Sequence, residues 1–508
     1  MLALQTRPLP VVLRGSFLQS SRKPLFLRRA AFPQKAGRRH PASHFFVLST
    51  SNGGQPDSED TQNTDMTSPV AKKIVVVGGG VSAGYFARSV VAANRGSELT
   101  IISAENVAPY ERPALTKAVL HAETPARLPG FHTSVGGGGE RQTPEWYSEK
   151  GVTLKLGEKV VGWDAGKQTV TTQSGETTSY DKLVVAIGCT ALRLPASIGG
   201  NLQGVHYVRD YQDALELANA MDAATKPVII GGGYIGLEVA ASLAARGMNP
   251  QVVLMEPHVM ARLWTAKIAA KYEHFFEQKG VVFHRNATVG TINSDGGKVL
   301  SVTLASGEVL ESDLCVVGVG AGAPTAPFDL LASTSDPKRP GGIAVDHVFA
   351  ASGVGVAPKT VYAVGDLAAF QIKNGESVET TRMEHVAHAR SSAVHCAAAV
   401  LDDTFDTPYA YFPFFYSRVF EQKTETRALN WAFWGFTGEE NHVVTVGDFA
   451  PKLCAFWIES GSIVGAMIES GSDEERETCK NAAQNRVKCD VEVLKRCASV
   501  EEAIELLK

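Results

Sequence analysis

Two glycine-rich turns, about 150 residues apart, hold the residues best suited to chemistry in this chain. The first, Gly78-Gly79-Gly80-Val81-Ser82-Ala83, follows the apolar run Ile74-Val75-Val76-Val77. The second, Gly231-Gly232-Gly233-Tyr234-Ile235-Gly236, follows Val228-Ile229-Ile230. Each reads as G-x-G-x-x-G/A between a strand and an Ala-rich helix, the arrangement in which helix-start N–H groups receive a pyrophosphate. In the first turn Gly78 permits the tight bend, Gly80 lets a phosphate approach, and Ala83 lets helix and strand pack closely. An acidic residue follows each next apolar strand: Glu105 after Leu99-Thr100-Ile101-Ile102, and Glu256 after Val252-Val253-Leu254-Met255. A carboxylate there bonds ribose hydroxyls, and at Glu256 it repels a 2′-phosphate. Arg262, six residues on, could instead accommodate that phosphate. The pattern favours NADH over NADPH. One chain holding two dinucleotides is expected to be a flavoprotein that passes electrons from a nicotinamide to FAD.

Further charged groups fall where a flavin would lie. Arg112 and Lys117, in the loop 109–117, could neutralise phosphates or sit beside the ring. A reduced flavin is anionic near N1 and favours a positive neighbour. Asp366, after Val361-Tyr362-Ala363-Val364-Gly365, either bonds the flavin ribitol or caps a helix.

The elements that must position these residues read as α/β. Two Rossmann-like nucleotide-binding domains are expected, the NAD domain inserted in the FAD domain, with a small α+β C-terminal domain. The FAD-binding domain spans 70–210 and resumes at 323–407, because the apolar strand at 361–364 looks like a return to the first unit. The NAD(P)H-binding domain spans 211–322 and ends in the strand 314–320. From 408 the composition changes: Phe412, Phe414, Phe415, Tyr416, Phe420, Trp431, Phe433, Trp434 and Phe436 crowd together, then come short alternating runs and a closing helix near 500–507. Most of these aromatics are core residues by default. The glycine run at 136–139 reads as a surface turn.

At 508 residues and 44% hydrophobic, the chain can bury several cores. No stretch approaches 18 uninterrupted apolar residues, so no membrane span is expected. The net charge of −4 hides an asymmetry: residues 1–56 carry nine Lys or Arg and no acid, leaving −13 on the rest. A basic, Ser-bearing, acid-free segment reads as a transit peptide over 1–65, directing the chain to chloroplast and/or mitochondrion. The acidic remainder argues against nucleic acid as a partner. Cys189, Cys315, Cys396, Cys454, Cys479, Cys489 and Cys497 form no C-x-x-C pair. That spacing argues against a metal site and against a redox-active disulfide.

In detail the chain resembles the plant-type monodehydroascorbate reductases among the FAD/NAD pyridine-nucleotide oxidoreductases. The resemblance rests on Tyr110-Glu111-Arg112-Pro113-Ala114-Leu115-Thr116-Lys117, Pro129-Gly130-Phe131-His132, Gly137-Gly138-Gly139-Glu140-Arg141 and Pro144-Glu145-Trp146-Tyr147. It rests most specifically on Met383-Glu384-His385-Val386-Ala387-His388-Ala389-Arg390 and Phe415-Tyr416-Ser417-Arg418. It runs from about residue 70 to the C terminus, and Phe456-Trp457-Ile458-Glu459-Ser460-Gly461 is similar to the organellar form.

The resemblance implies that FAD is held by Gly78, Gly79, Gly80, Val81, Ser82, Ala83, Glu105, Arg112, Lys117, Val160, Arg209 and Asp366, with Val386 touching the ring. It implies NADH contacts at Gly231, Gly233, Tyr234, Ile235, Gly236, Glu256, Arg262, Gly320, Glu384 and His385. Arg390 and Tyr416 match the positions that surround the ascorbyl substrate. The reaction so implied is hydride transfer from NADH to FAD, then two one-electron transfers to two monodehydroascorbate radicals. Two departures stand out: Ala323, where many relatives have Arg, and the charged loop 421–427, adjoining Tyr416. The expected partner is that small-molecule radical, and a monomer is favoured. Two rivals share the cofactors: a ferredoxin- or rubredoxin-type reductase, which docks a protein, and an apoptosis-inducing-factor-like flavin redox sensor.

Overall fold

The structure is a computed structural model that describes residues 72–134, 139–334, 341–421, 427–438, 442–449 and 451–508. The expected transit peptide, the glycines at 136–138 and the loop interior at 422–426 lie outside the described residues.

Ile74–Val77 is the centre of a five-stranded parallel sheet, buried along its whole length. It pairs in register with Leu99–Ile102 on one side and Lys182–Val185 on the other. These strands are continuous apolar runs because a parallel sheet is covered on both faces. The outer strands are Thr153–Lys155 and Val361–Ala363. Val361–Ala363 follows the whole second nucleotide domain in sequence, yet it pairs with Leu183–Val185 of the first sheet. The NAD domain is therefore an insertion.

A second five-stranded parallel sheet runs in the order Val282–His284, Gln251–Val253, Pro227–Ile230, Leu314–Val317, Val205–His206. Its last member corrects the expected boundary at 210/211. Val205–His206 enters the second sheet just before the helix Tyr211–Ala223, whose capping box of Asp210 and Asp213 marks the only strong local signal there. The two chain crossings run side by side, Thr190–Ala191 antiparallel to Ala321–Gly322.

The C-terminal unit is α+β. Five antiparallel strands run in the order Phe414–Val419, Leu429–Gly435, Ser462–Glu469, Leu453–Glu459, Val443–Gly447, followed by the helices Asp473–Gln484, Val491–Arg496 and Val500–Glu505. Side chains alternate between faces along a strand. Trp431 and Phe433 join a core with Leu237, Trp264, Tyr272 and Phe276 of the second domain. Ala432 and Trp434 join a core with Cys479, Leu494 and Ile504 of the unit's own helices. The sheet is thus a wall between its helices and the NAD domain.

Candidate active site

Both glycine turns take conformations that only glycine holds without strain. Gly78 has φ +123°, and a β-carbon there would lie 2.3 Å from the Ala186 carbonyl oxygen. Gly231 has φ +113°, and its β-carbon would lie 2.3 Å from the Gly318 carbonyl oxygen. The third glycine of each turn faces space: a β-carbon on Gly80 would meet only the Arg112 guanidinium, at 3.5 Å, and one on Gly233 would meet nothing within 4 Å. No side chain caps the helices Val81–Ala92 and Tyr234–Ala244 that begin there. Each helix start therefore offers N–H groups beside a cleft, a cradle that fits a pyrophosphate.

At the first cradle the Glu105 carboxylate takes Arg112 on one oxygen and the Tyr110 hydroxyl on the other, both at 2.6 Å. Arg112 also donates to the Arg209 carbonyl at 2.7 Å. Its guanidinium lies against the glycine turn, on the phosphate side of the alternatives left by the sequence. Val160 is buried at the start of the strand Val160–Asp164.

Lys117 pairs at 2.6 Å with Glu238 in the helix Tyr234–Ala244. Glu238 is buried and also accepts the hydroxyls of Thr116 and, at 2.7 Å, Ser417. One carboxylate so joins a loop of the FAD domain, a helix of the NAD domain and a strand of the C-terminal sheet. Lys117 is thereby paired with a carboxylate of the NAD domain. Sequence reasoning missed Glu238 and Ser417. A lone Glu inside an otherwise apolar, Ala-rich helix was the available signal, because a buried carboxylate requires partners.

Asp366 lies within the short turn Gly365–Leu367, whose cap position is Val364, so the capping role is corrected. Its carboxylate accepts the Cys189 thiol at 3.2 Å and Arg209 at 3.3 Å. Burial, reinforced by Asp366, raises the pKa of that thiol and keeps it a donor. Arg382, fully buried, donates to the Asp366 carbonyl at 2.9 Å and pairs with Glu384 at 2.9 Å.

His385 caps the helix Val386–Leu401, its Nδ1 accepting the Ala387 N–H at 3.2 Å. That bond assigns the ring proton to Nε2 in the neutral imidazole. Burial takes its pKa down to about 3, with Arg390 and Lys117 adding to the effect and Asp366 opposing it. The ring stands edge-on to Phe415, Tyr416 and Phe414, at 5.1, 5.6 and 5.8 Å. Helix start and C-terminal strand therefore meet. Arg390, further along the same helix, pairs with Glu111 at 2.6 Å and feels the Tyr416 hydroxyl electrostatically. In the second domain Glu256 is half-buried and Arg262 exposed. Gly320 has φ +122° and packs near Leu192. Ala323 bridges to Gly341 in backbone pairing.

The fold and its two cradles define an oxidoreductase of the two-nucleotide class. Residues 72–393 match the family described as Pyridine nucleotide-disulphide oxidoreductase. Residues 412–500 match Monodehydroascorbate reductase 3-like, C-terminal domain. Over 439 residues the chain is 45% identical to the monodehydroascorbate reductase, chloroplastic/mitochondrial, of Arabidopsis thaliana, covering 86% of each chain. It is 43% identical to monodehydroascorbate reductase 5 of Oryza sativa subsp. japonica, covering 86% of this chain and 87% of the relative. A ferredoxin reductase from Rhodopseudomonas palustris shares the fold, with a TM-score of 0.69 at 26% identity over 85% of this chain and 100% of that one. The chain belongs to the monodehydroascorbate reductase family, within the pyridine nucleotide-disulphide oxidoreductases. Its cofactors are those the two turns predict, FAD and NAD(P)H. All seven of its cysteines are free thiols, five of them buried.

Proposed function

We propose that this protein reduces the monodehydroascorbate radical to ascorbate with electrons from NADH, in a chloroplast or mitochondrion. Two observations support the reading: Arg390 lies on the helix that His385 caps, and the His385 ring stands 5.6 Å from Tyr416 of a distant segment. Among the described residues no helix is long and apolar enough to cross a membrane. We take the monomer as the working form.

When bound, FAD supplies the conversion between a two-electron donor and a one-electron acceptor. Gly78 to Ala83, Glu105, Arg112, Arg209 and Asp366 would hold it, with Val160 and Val386 at its two ends. Gly231, Gly233, Tyr234, Ile235, Gly236 and Gly320 would hold the nicotinamide nucleotide, and Glu256 would select a free 2′-hydroxyl. Glu384 and His385 close that site, the imidazole offering a fixed Nε2–H donor. Lys117 and Glu238 keep a paired charge between the two nucleotide domains. Arg390 would orient the oxygen-rich ring through its planar donors, and Tyr416 would lie beside it. One NADH and one proton, with two radical anions, yield NAD⁺ and two ascorbate monoanions.

NADH oxidation followed with and without enzymatically generated ascorbyl radical tests the proposal. Radical-dependent oxidation is expected. Reduction of a ferredoxin with indifference to the radical would overturn it. Within that assay, Arg390→Ala is expected to slow the radical step by roughly 10-fold or more, the loss of a charged hydrogen bond.

A further inference from the structure

Arg390, on which the substrate site depends, is held in place from two sides. Its Nη2 lies 2.6 Å from Glu111 Oε2, and the other Glu111 oxygen accepts the Tyr85 hydroxyl at 3.0 Å. The guanidinium carbon stands 5.4 Å from the centroid of the Tyr85 ring, within cation–π range. Glu111 is the more buried partner, its side chain 19% exposed against 36% for Arg390. Tyr85 is itself restrained, with the Arg88 guanidinium 4.7 Å from its ring and Arg88 bonded to the Ser134 carbonyl. Burial and the Glu111 charge raise the pKa of the Tyr85 hydroxyl, so it remains a donor.

Three elements contribute: the helix Val81–Ala92 gives Tyr85, the loop before the turn Arg112–Ala114 gives Glu111, and the helix Val386–Leu401 gives Arg390. The two helices are tied together beside the cluster by Ser82 donating to the Ala389 carbonyl.

A guanidinium is a rigid plane of five donors. Fixing one arm on a carboxylate fixes the direction of all the others. Only one arm of Arg390 is engaged by Glu111, and its Nε is buried without a hydrogen-bond partner. The Glu111 charge also offsets that of Arg390, which shifts recognition from net attraction toward directed hydrogen bonds. We propose that Glu111 and Tyr85 are positioning residues of the substrate site, holding Arg390 with its remaining donors turned to the oxygens of a small anionic ring. The proposal rests on the assignment of Arg390 to the substrate.

The test uses the FAD-loaded protein and two readouts: kinetics with ascorbyl radical, and ascorbate binding followed as a perturbation of the flavin spectrum. The variants are Glu111→Gln, Glu111→Asp, Tyr85→Phe, Arg390→Ala and the Glu111→Gln/Arg390→Ala double. Glu111→Gln is expected to lower kcat/KM by about 10-fold, chiefly through KM, and to weaken ascorbate binding in step. Glu111→Asp should recover part of that loss, and Tyr85→Phe should cost about 3-fold. In the Arg390→Ala background Glu111→Gln should add less than about 2-fold, because nothing remains to be positioned. FAD content and the thermal midpoint report folding, and Tyr85→Phe, which removes one oxygen, stands in if a Glu111 variant fails to fold. Glu111→Gln equal to or better than the parent would show that charge and not position governs the site, and would overturn the proposal. So would equal costs of Glu111→Gln with and without Arg390. A parent inert toward the radical overturns the function itself, whereas an active parent with indifferent variants overturns only the positioning role.

Discussion

Glu256 shows how much one carboxylate can decide. It lies half-buried in the loop just after the strand Gln251–Val253 of the NAD sheet, whereas Arg262 is exposed to solvent. NADH should therefore exceed NADPH in kcat/KM, and Glu256→Ala should narrow the gap by roughly 5- to 150-fold, about 1–3 kcal/mol. Steady-state kinetics with both donors measure this, and an unchanged ratio would transfer the selection to Arg262. The thiols make a second residue-level case. Burial pushes Cys315 and Cys479 up to about 12 and raises Cys189, Cys396 and Cys454 as well. Nucleophilic thiolate is then scarce at neutral pH. Iodoacetamide should leave most NADH-to-radical turnover intact; full inactivation that NADH prevents would contradict this. The glycines and strand-end acids were legible in the sequence because their constraints are local. Glu238 and the Glu111–Arg390 pair were not. Their bonds span 122 and 279 residues, and a buried carboxylate carries no local sign of which partner it will meet.

At the scale of elements, the two glycine turns look alike and should fail differently. A β-carbon at Gly78 would strike the first sheet's neighbouring strand end, while one at Gly231 would strike the corresponding point of the second sheet. Each forces strain of about 1–3 kcal/mol in a left-handed conformation, before the clash is relieved. Gly231→Ala is expected to keep its yellow colour and FAD stoichiometry while NADH reduces the bound flavin at least about 10-fold more slowly at limiting donor. Gly78→Ala should be isolated depleted of FAD. Absorbance spectra and anaerobic NADH titration distinguish the two, and FAD loss from Gly231→Ala would show that the domains do not bind independently. The parallel strands were readable as unbroken apolar runs, since burial on both faces removes any alternation. Val205–His206 was not readable, because two residues are too few to show a period. Asp366 looked equally like a cap until the turn Gly365–Leu367 placed it two residues past the cap position, Val364.

For the whole molecule, the fold-back of the C-terminal sheet mattered most and was least visible. Composition identified its aromatics as core but could not say that Trp431 faces the NAD domain while Trp434 faces its own helices. That sheet packs against His385, and Phe370, Phe349, Tyr409 and Tyr411 enclose His388; both rings are buried in neutral form, and this sets how the protein responds to acid. Burial takes His385 to about 3 and His388 to about 4, from an ordinary 6.5. His388 is stacked on Phe370 at 4.5 Å and bonded to the Tyr409 hydroxyl at 3.1 Å. Between those values and 6.5 the unfolded chain binds protons that the folded chain refuses, so stability is present above pH 6.5 and is lost as pH falls. Each of these histidines contributes a slope of up to about 1.4 kcal/mol per pH unit below that point. The thermal midpoint of the FAD-loaded protein should therefore drop between about pH 7 and pH 5, before most carboxylates begin to titrate. His388→Gln should lower the midpoint at neutral pH and make the fall with acid shallower, because one refused proton has been removed. A midpoint constant across this window would mean that the native state already accepts these protons, and the neutral Nε2–H donor assigned to His385 would then be wrong.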